Sequence, residues 1–253
     1  MALLRYTNDC LEAAQGRWPA SGGLYEESAP EDKRRARPKS IEIFENRVVE
    51  QLLARAHPIT PIIWFGPFIA YGIYSGIARA GFVGAVGLYA LGWFAWTFLE
   101  YLLHRFLFHM KADTPEQKFR QFMVHGYHHE FANDKMRLVA PPLMSWPIAI
   151  VMGILYHYVF GALMWPVFAG TATGYIAYDW IHYYTHHFRP GNPVGKWLKS
   201  YHLQHHFDEN HGRGRYGVSS PIWDFVFRQP ERVRGTARER QLAEMVRGRR
   251  LTC

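Results

Sequence analysis

Cysteine is almost absent from the sequence. Only Cys10 and Cys253 occur, near the two ends of the 253 residues, and neither belongs to a Cys-x-x-Cys pair. This scarcity argues against a disulfide framework and against a thiolate metal site. The first residues also lack a basic stretch followed by a long apolar core, so we expect no cleaved signal peptide. Any insertion into a membrane would then depend on internal segments.

Charged residues are missing from long parts of the chain. Residues 138–181 contain no Lys, Arg or Glu, and Asp179 is their only acid. The charged residues crowd instead into the two ends and one middle segment, while apolar residues make up 49% of the sequence. This segregation is typical of an integral membrane protein.

Four apolar segments are each long enough to cross a hydrocarbon core about 30 Å thick at 1.5 Å per residue. Residues 59–78 and 81–103 form a first predicted hairpin, and residues 143–162 and 164–182 form a second, divided near Gly161. The predicted fold class is therefore all-α. We expect an integral membrane protein with four transmembrane helices in two hairpins and a cytoplasmic helical cap that carries a histidine-rich dimetal site.

The basic residues favour one orientation of this topology. All 29 Lys and Arg residues except Arg79 fall on the same side of the four predicted spans. The positive-inside preference makes that side cytoplasmic, so both termini and the metal site are expected there, in the inner membrane if the protein is bacterial. The same placement explains the net charge of +8 by contact with anionic lipid, and no nucleic-acid partner is expected.

Three segments lie outside the spans. Residues 1–40 are rich in Gly, Pro, Ser and mixed charge, which predicts a disordered or extended tail. Residues 229–253 form a predicted basic C-terminal tail, which leaves 41–228 as the membrane-embedded domain. Residues 41–56 are predicted to form an amphipathic helix on the membrane surface. Its apolar side chains recur at helical spacing: Ile41, Phe44, Val48 and Leu52.

Histidine is the residue that the sequence concentrates. Eleven of its fourteen histidines form four clusters at the predicted cytoplasmic ends of the spans, whereas His57 and His157 are isolated and are interpreted as structural. Residues three or four apart share a helix face, so His125 with His128, His182 with His186, and His202 with His205 can each aim at one point. The histidines five apart, His104 and His109, suit two metals better than one.

So many imidazoles exceed what a single structural zinc ion needs, because such a site takes four ligands. An adjacent second histidine is rotated by about 100° on a helix and would serve a neighbouring metal. Imidazole suits zinc, copper, iron and nickel, so the ligand type alone leaves the metal open. The pattern predicts a dinuclear redox centre.

The histidine motifs also carry a resemblance to a known family. They read His-Arg-Phe-Leu-Phe-His (104–109), His-Gly-Tyr-His-His (125–129), His-Tyr-Tyr-Thr-His-His (182–187) and Tyr-His-Leu-Gln-His-His (201–206). With residues 134–142 and the closing stretch 216–227, they resemble the fatty acid hydroxylase superfamily, and within it the fatty acid 2-hydroxylases, over roughly residues 41–227.

The resemblance implies an oxygen-dependent enzyme with two iron ions, which zinc can replace in purified protein, and with dioxygen as co-substrate. It implies hydroxylation at C2 of a fatty acid or of the acyl chain of a lipid such as a ceramide. His187 is implied less firmly, because it turns away from the face of His182 and His186. The implied metal ligands are His104, His109, His125, His128, His129, His182, His186, His202, His205 and His206.

The resemblance has consequences for partners as well. Fungal and animal members carry an N-terminal haem-binding domain as electron donor, whereas no histidine precedes His57 here. A separate electron-donor protein is therefore expected. Further candidates for contact with the ligands or the substrate are Asp179, Tyr201 and Arg137. For Asp179 a hydrogen bond to a ligand histidine and a surface position at the span's end both stay open.

Two other functions are consistent with the sequence. A superfamily member could act on a sterol, a carotenoid or an alkyl chain, since pocket shape sets the substrate. A metal transporter is more remote, because its ligands would lie near the bilayer midplane. Almost all the histidines here lie outside the predicted spans.

Overall fold

The computed structural model describes residues 4–15, 40–207 and 214–227. Within these ranges the regular structure is helical, apart from one antiparallel bridge between Tyr6 and Phe44, and the predicted all-α class is confirmed. The predicted tail 229–253 lies outside the described residues. The α-helices are α1 (Asn8–Ala14), α2 (Arg47–Val49), α3 (Thr60–Leu102), α4 (Pro115–Gln121), α5 (Tyr127–Glu130), α6 (Pro142–Phe160), α7 (Met164–His187), α8 (Pro193–Phe207) and α9 (Ile222–Val226).

Helical segments of other types continue several of these helices. A 3-10 turn, Gly161–Leu163, joins α6 to α7. Segments with π-helical hydrogen bonding follow α2, α3 and α4: Glu50–Ala54, Leu103–Phe108 and Phe122–Gly126. π-Helical turns are rare and often occur at functional sites. The second and third of these segments carry clustered histidines.

Helix α3 turns back on itself at Gly81. This residue has φ of 68°, a left-handed conformation that glycine adopts without the cost a side chain would impose. On the two sides of the turn, a Cβ added to Gly76 would lie 3.2 Å from the Cβ of Ala85. The two halves of α3 therefore pack closely, with the break where the sequence predicts the first hairpin to turn.

Helix α7 packs against both halves of α3. Gly72 in the first half lies against Ala169, and Gly92 in the second half lies against the backbone of Val167. Gly170 in turn lies against the backbone of Tyr89, and a side chain at any of these glycines would overlap its neighbour. Small residues of this kind allow helices to approach closely in membrane proteins.

In the described part of the chain, two stretches are long and apolar enough to cross a membrane, namely Thr60–Phe108 and Pro142–His187. The first contains the turn at Gly81, and the second contains the turn at Gly161, where φ is 55°. Large apolar side chains on their outer surfaces are exposed, including Phe82 at 71% and Tyr158 at 83%. Their inner surfaces form a core of aromatic and small residues around Phe65, Trp96, Ala172 and Tyr175.

The N-terminal segment differs from the predicted tail over residues 1–40. Helix α1 is capped by the Thr7 side chain, which accepts a hydrogen bond from the Cys10 amide. Cys10, Ala13 and Ala14 are buried in a second core, outside the apolar stretches, and burial raises the pKa of the Cys10 thiol to about 12. Small apolar side chains at helical spacing explain this docking. Residues 16–39 lie outside the described part of the chain.

The amphipathic helix predicted over residues 41–56 is also wrong in extent. Helical structure runs only from Arg47 to Ala54, after Asn46, whose side chain accepts hydrogen bonds from two backbone amides. Residues 41–46 are non-helical, because the Glu50 carboxylate accepts hydrogen bonds from the amides of Ile43 and Phe44. Four apolar side chains predicted to share a face divide into buried Ile41 and Phe44 and exposed Val48 and Leu52.

Candidate metal centre

The histidines converge into two groups at the ends of α3 and α7. In each group the ligand nitrogens lie within 4.8 Å of one another. The five-histidine group consists of His128, His182, His186, His202 and His206. The four-histidine group consists of His104, His109, His125 and His205. Together they contain nine of the ten predicted ligands, and each group can hold a metal ion.

Helix α8 contributes to both groups. His202 and His206, four residues apart, point into the five-histidine group, and His205 points into the four-histidine group. The sequence predicts His202 and His205 on one face, and this pairing is wrong. The pairing of His182 with His186 on α7 is confirmed.

The π-helical segments decide how the other histidines divide. In Leu103–Phe108 the His109 amide donates to the His104 carbonyl, an i+5 hydrogen bond that brings residues five apart onto one face. His104 and His109 therefore serve one group, although an α-helical spacing suggested two metals. His125 lies within the next π-helical segment, Phe122–Gly126, and separates from His128, with which the sequence had paired it.

The imidazole nitrogens face one another at short distance. Nε2 of His128 lies 2.9 Å from Nε2 of His182 and 2.9 Å from Nε2 of His206. In the other group, Nε2 of His109 lies 3.0 Å from Nε2 of His205. A neutral imidazole carries one N–H donor and one lone pair. Where several imidazole nitrogens converge, some lone pairs therefore have no N–H group from which to accept a hydrogen bond. A metal ion at each convergence fits this donor set.

The protonation states also suit metal binding. Burial is the main cause that holds the pKa values of His125, His128, His202 and His206 well below the ordinary range. The pKa of His109 falls to about 2, first through burial and then through the neighbouring His205. Metal ligands must be deprotonated imidazoles, and these residues are neutral at physiological pH.

The four-histidine group is anchored to the backbone of the C-terminal segment. Nδ1 of His104 donates to the Tyr216 carbonyl at 2.6 Å, and Nδ1 of His205 donates to the Gly214 carbonyl at 2.8 Å. Donation from Nδ1 places the lone pair on Nε2, which is the atom that faces the group. Residues 214–217 thus orient two of its four members.

Asp224 holds this C-terminal segment in place. Its carboxylate accepts hydrogen bonds from the amides of Tyr216 and Gly217, at 2.9 and 2.7 Å, and from the Tyr201 hydroxyl at 3.0 Å. Asp224 is fully buried. This aspartate lies inside the closing stretch 216–227 and is not among the predicted site residues. The signal in the sequence that could have identified Asp224 is that it is a single acid within an apolar stretch.

Glu100 makes a second connection and is also not among the predicted site residues. Its carboxylate accepts hydrogen bonds from the Ser219 amide at 2.8 Å and from the Ser219 hydroxyl. The Trp223 indole donates to Thr97 Oγ1 at 2.9 Å nearby. The second half of α3 is therefore attached to the segment that orients His104 and His205. The signal in the sequence that could have identified Glu100 is that it is a lone glutamate near the end of an apolar span.

His129 and His187 lie outside both groups. His129, the tenth predicted ligand, is partly buried and lies between them, with its ring 4.8 Å from that of His125 and 4.2 Å from that of His206. Its Nε2 has no hydrogen-bond partner among the described residues. His187 is half-buried, and its ring contacts Tyr183 at 4.5 Å. The isolated histidines His57 and His157 join neither group.

The three other predicted site residues have different surroundings. Asp179 is buried, at 1% exposed, so the surface position that the sequence left open is wrong, and its carboxylate makes no hydrogen bond to a histidine of the described residues. Tyr201 donates to Asp224 and supports the C-terminal segment. Arg137 forms a buried ion pair with Glu50 and lies 3.2 Å from Asp134. Its Nη1 has no hydrogen-bond partner among the described residues.

A largely apolar cavity of about 470 Å³ adjoins the two groups. His125, His128 and His182 reach its wall, and Asp179 and Arg137 line it as well. From the histidines its lining extends between α3, α6 and α7 to Met152 and Phe168, and on another side to Phe44 and Phe119. The centre therefore faces an elongated space suited to an apolar molecule.

Known proteins with similar sequences include lipid hydroxylases. A dihydroceramide fatty acyl 2-hydroxylase, FAH2 of Arabidopsis thaliana, is 36% identical over 186 residues, covering 73% of this chain and 77% of that protein. The fatty acid 2-hydroxylase of Homo sapiens is 34% identical over 217 residues, covering 75% of this chain and 56% of that protein.

A solved structure described as full-length scs7p, with only its hydroxylase domain visible, has a TM-score of 0.67 to this protein. It is 30% identical, and the match covers 73% of this chain and 70% of that one. Residues 89–229 match the sequence profile of the family described as fatty acid hydroxylase. Those residues contain every histidine of both groups. The chain belongs to the fatty acid hydroxylase family.

Proposed function

We propose that this protein is a membrane-bound 2-hydroxylase, which inserts a hydroxyl group at C2 of a fatty acid or of the acyl chain of a lipid such as a ceramide. The observation that carries the proposal is the elongated apolar cavity whose wall includes His125, His128 and His182. The names of the relatives support the same reaction.

The two histidine groups would each hold one iron ion, and zinc can occupy the same nitrogens in purified protein. Bound iron would supply the activation of dioxygen and the hydroxylation of an unactivated C–H bond. The chain's own contribution is to present neutral imidazoles from α5, α7, α8 and the two π-helical segments. His129, with an unpartnered buried nitrogen between the groups, completes the predicted ligand set.

The cavity would bind the acyl chain and exclude water from the reacting carbon. Its deep end, between α6 and α7, is apolar and accepts the chain. Arg137 also lines the cavity, and its positive charge would attract an acyl carbonyl or head-group oxygen. Glu50 and Asp134 keep the Arg137 side chain fixed.

A four-span topology with a cytoplasmic metal site belongs to the proposal. The two stretches able to cross a membrane, each divided by a glycine turn, support two hairpins. The histidine groups lie at the ends of α3 and α7 remote from those turns, which agrees with the basic residues around them. The reaction also needs electrons, which we assign to a separate donor protein.

The test is to express the protein with a native reductant, extract total lipids and measure them by mass spectrometry. We expect acyl lipids that gain one oxygen at C2, and loss of this product in the His128→Ala/His205→Ala variant. The His57→Ala variant is the matched control, because His57 lies outside both groups. Absence of any metal-dependent gain of oxygen in wild-type samples would refute the proposal.

A further inference from the structure

The deep end of the main cavity is separated from a second apolar pocket by a wall of residues that line both spaces. The second pocket has a volume of about 150 Å³ and lies between α3, α6 and α7, further from the histidines. Phe65, Ala149 and Phe168 line both spaces. The two spaces would form one longer space if this wall were removed.

The wall stands at a depth suited to a long acyl chain. Phe168 and His182 lie on α7, fourteen residues apart, which corresponds to about 21 Å along the helix axis. One leaflet of a bilayer has a hydrocarbon thickness of about 15 Å, so this depth exceeds it. An extended chain whose C2 lies at the histidines would meet the wall near its methyl end.

The three wall residues differ in how firmly they are held. Phe65 is 2% exposed, and its ring contacts Trp146 at 5.4 Å and Tyr175 at 5.5 Å, so it belongs to the core. Ala149 has only a methyl group. Phe168 is partly buried and supplies most of the wall's removable volume, with its nearest ring neighbour, Trp165, at 6.4 Å.

We propose that Phe168 sets the longest acyl chain that the enzyme hydroxylates efficiently. The inference rests on the proposed function, because it requires the substrate chain to fill the main cavity. Phe168 ends the space available to the chain, and Ala149 leaves room for the methyl terminus beside it. A chain that exceeds this length must either bend or leave its end unburied.

The substitution Phe168→Ala joins the two spaces and favours longer chains. Each additional methylene that becomes buried is expected to improve relative binding by roughly fourfold. The substitution Ala149→Leu fills the deep end from the opposite side and favours shorter chains. The two changes act at one wall in opposite directions, which a general effect on folding would not produce.

The experiment supplies membranes that contain the wild type or a variant with acyl lipids of mixed chain length, and measures the 2-hydroxylated products by mass spectrometry. We expect Phe168→Ala to move the product distribution to longer chains and Ala149→Leu to move it to shorter ones. Phe82→Ala is the matched control, since Phe82 is 71% exposed and lines neither space. Its distribution should equal that of the wild type.

The outcomes separate this inference from the proposed function. If the wild type hydroxylates acyl lipids but both wall variants keep its length distribution, or change all lengths by one factor, the inference is wrong and the function stands. If Phe168→Ala is not recovered in folded form, the Ala149→Leu shift decides the inference alone. If the wild type gives no hydroxylated product under reducing, metal-replete conditions, both fail.

Discussion

The two histidine groups are similar in composition but are held in different ways. In the four-histidine group, His104 and His205 donate from Nδ1 to backbone carbonyls of the segment 214–217. In the five-histidine group, Nδ1 of His182 and Nδ1 of His202 have no hydrogen-bond partner among the described residues. The five-histidine group is positioned by helices α5, α7 and α8, whereas the four-histidine group also depends on a segment far along the chain.

Two adjacent metal sites can therefore have separate supports. Tyr216 is 112 residues away from His104 in sequence, and Asp224 and Glu100 hold its segment in place. Partners of this kind orient metal-bound imidazoles, and their loss reduces metal affinity. Changes in the C-terminal segment should therefore weaken the four-histidine group and spare the five-histidine group.

The largest expected effect comes from removing one imidazole from each group in turn. His104→Ala and His182→Ala should each lower the bound metal from two ions to about one per chain and reduce hydroxylation by more than about 100-fold. Metal content of the purified protein, measured by mass spectrometry, checks this. Loss of both ions from either variant would show that the two sites bind metal as a single unit.

An intermediate effect is expected for Asp224→Asn. The amide that replaces the carboxylate has one acceptor oxygen for three donors, so the carbonyls of Gly214 and Tyr216 lose their fixed positions. Metal affinity of the four-histidine group should fall by about 10- to 100-fold, while one ion per chain stays tightly bound. Competition with a graded series of chelators measures the two affinities separately.

Asp113→Asn is the control for this experiment, because Asp113 is exposed and its backbone amide, not its carboxylate, binds Gln117. Equal weakening of both metal sites in Asp224→Asn would contradict the separate supports.

The smallest effect is expected for Ser219→Ala, which removes one of the two hydrogen bonds to Glu100 and keeps the other. A net contribution of about 1 kcal/mol corresponds to roughly fivefold weaker metal binding in the four-histidine group. The same chelator competition measures it, with Ser75→Ala as a buried serine remote from the site. If Ser219→Ala weakened metal binding more than Asp224→Asn, the contact through Glu100 would be more important than the contacts of Asp224, which would contradict this order of effects.

Local sequence determined the helices and the chemistry of the site. Apolar length and glycine position predicted the two hairpin turns near Gly81 and Gly161, because helix length and backbone conformation depend on neighbouring residues. Histidine spacing predicted a metal site and the pairing of His182 with His186, since residues four apart share a face in any α-helix, while the set of ligands followed from the family resemblance. These properties require no knowledge of distant contacts.

Tertiary structure alone decided how the histidines divide and what holds them. The π-helical segments place His104 with His109 and separate His125 from His128, and such turns form only when surrounding packing selects them. Docking of α1 and the roles of Asp224 and Glu100 depend on residues distant in sequence. A buried carboxylate is stable only where donors such as Tyr201 and Ser219 reach it, and the fold alone brings those donors together.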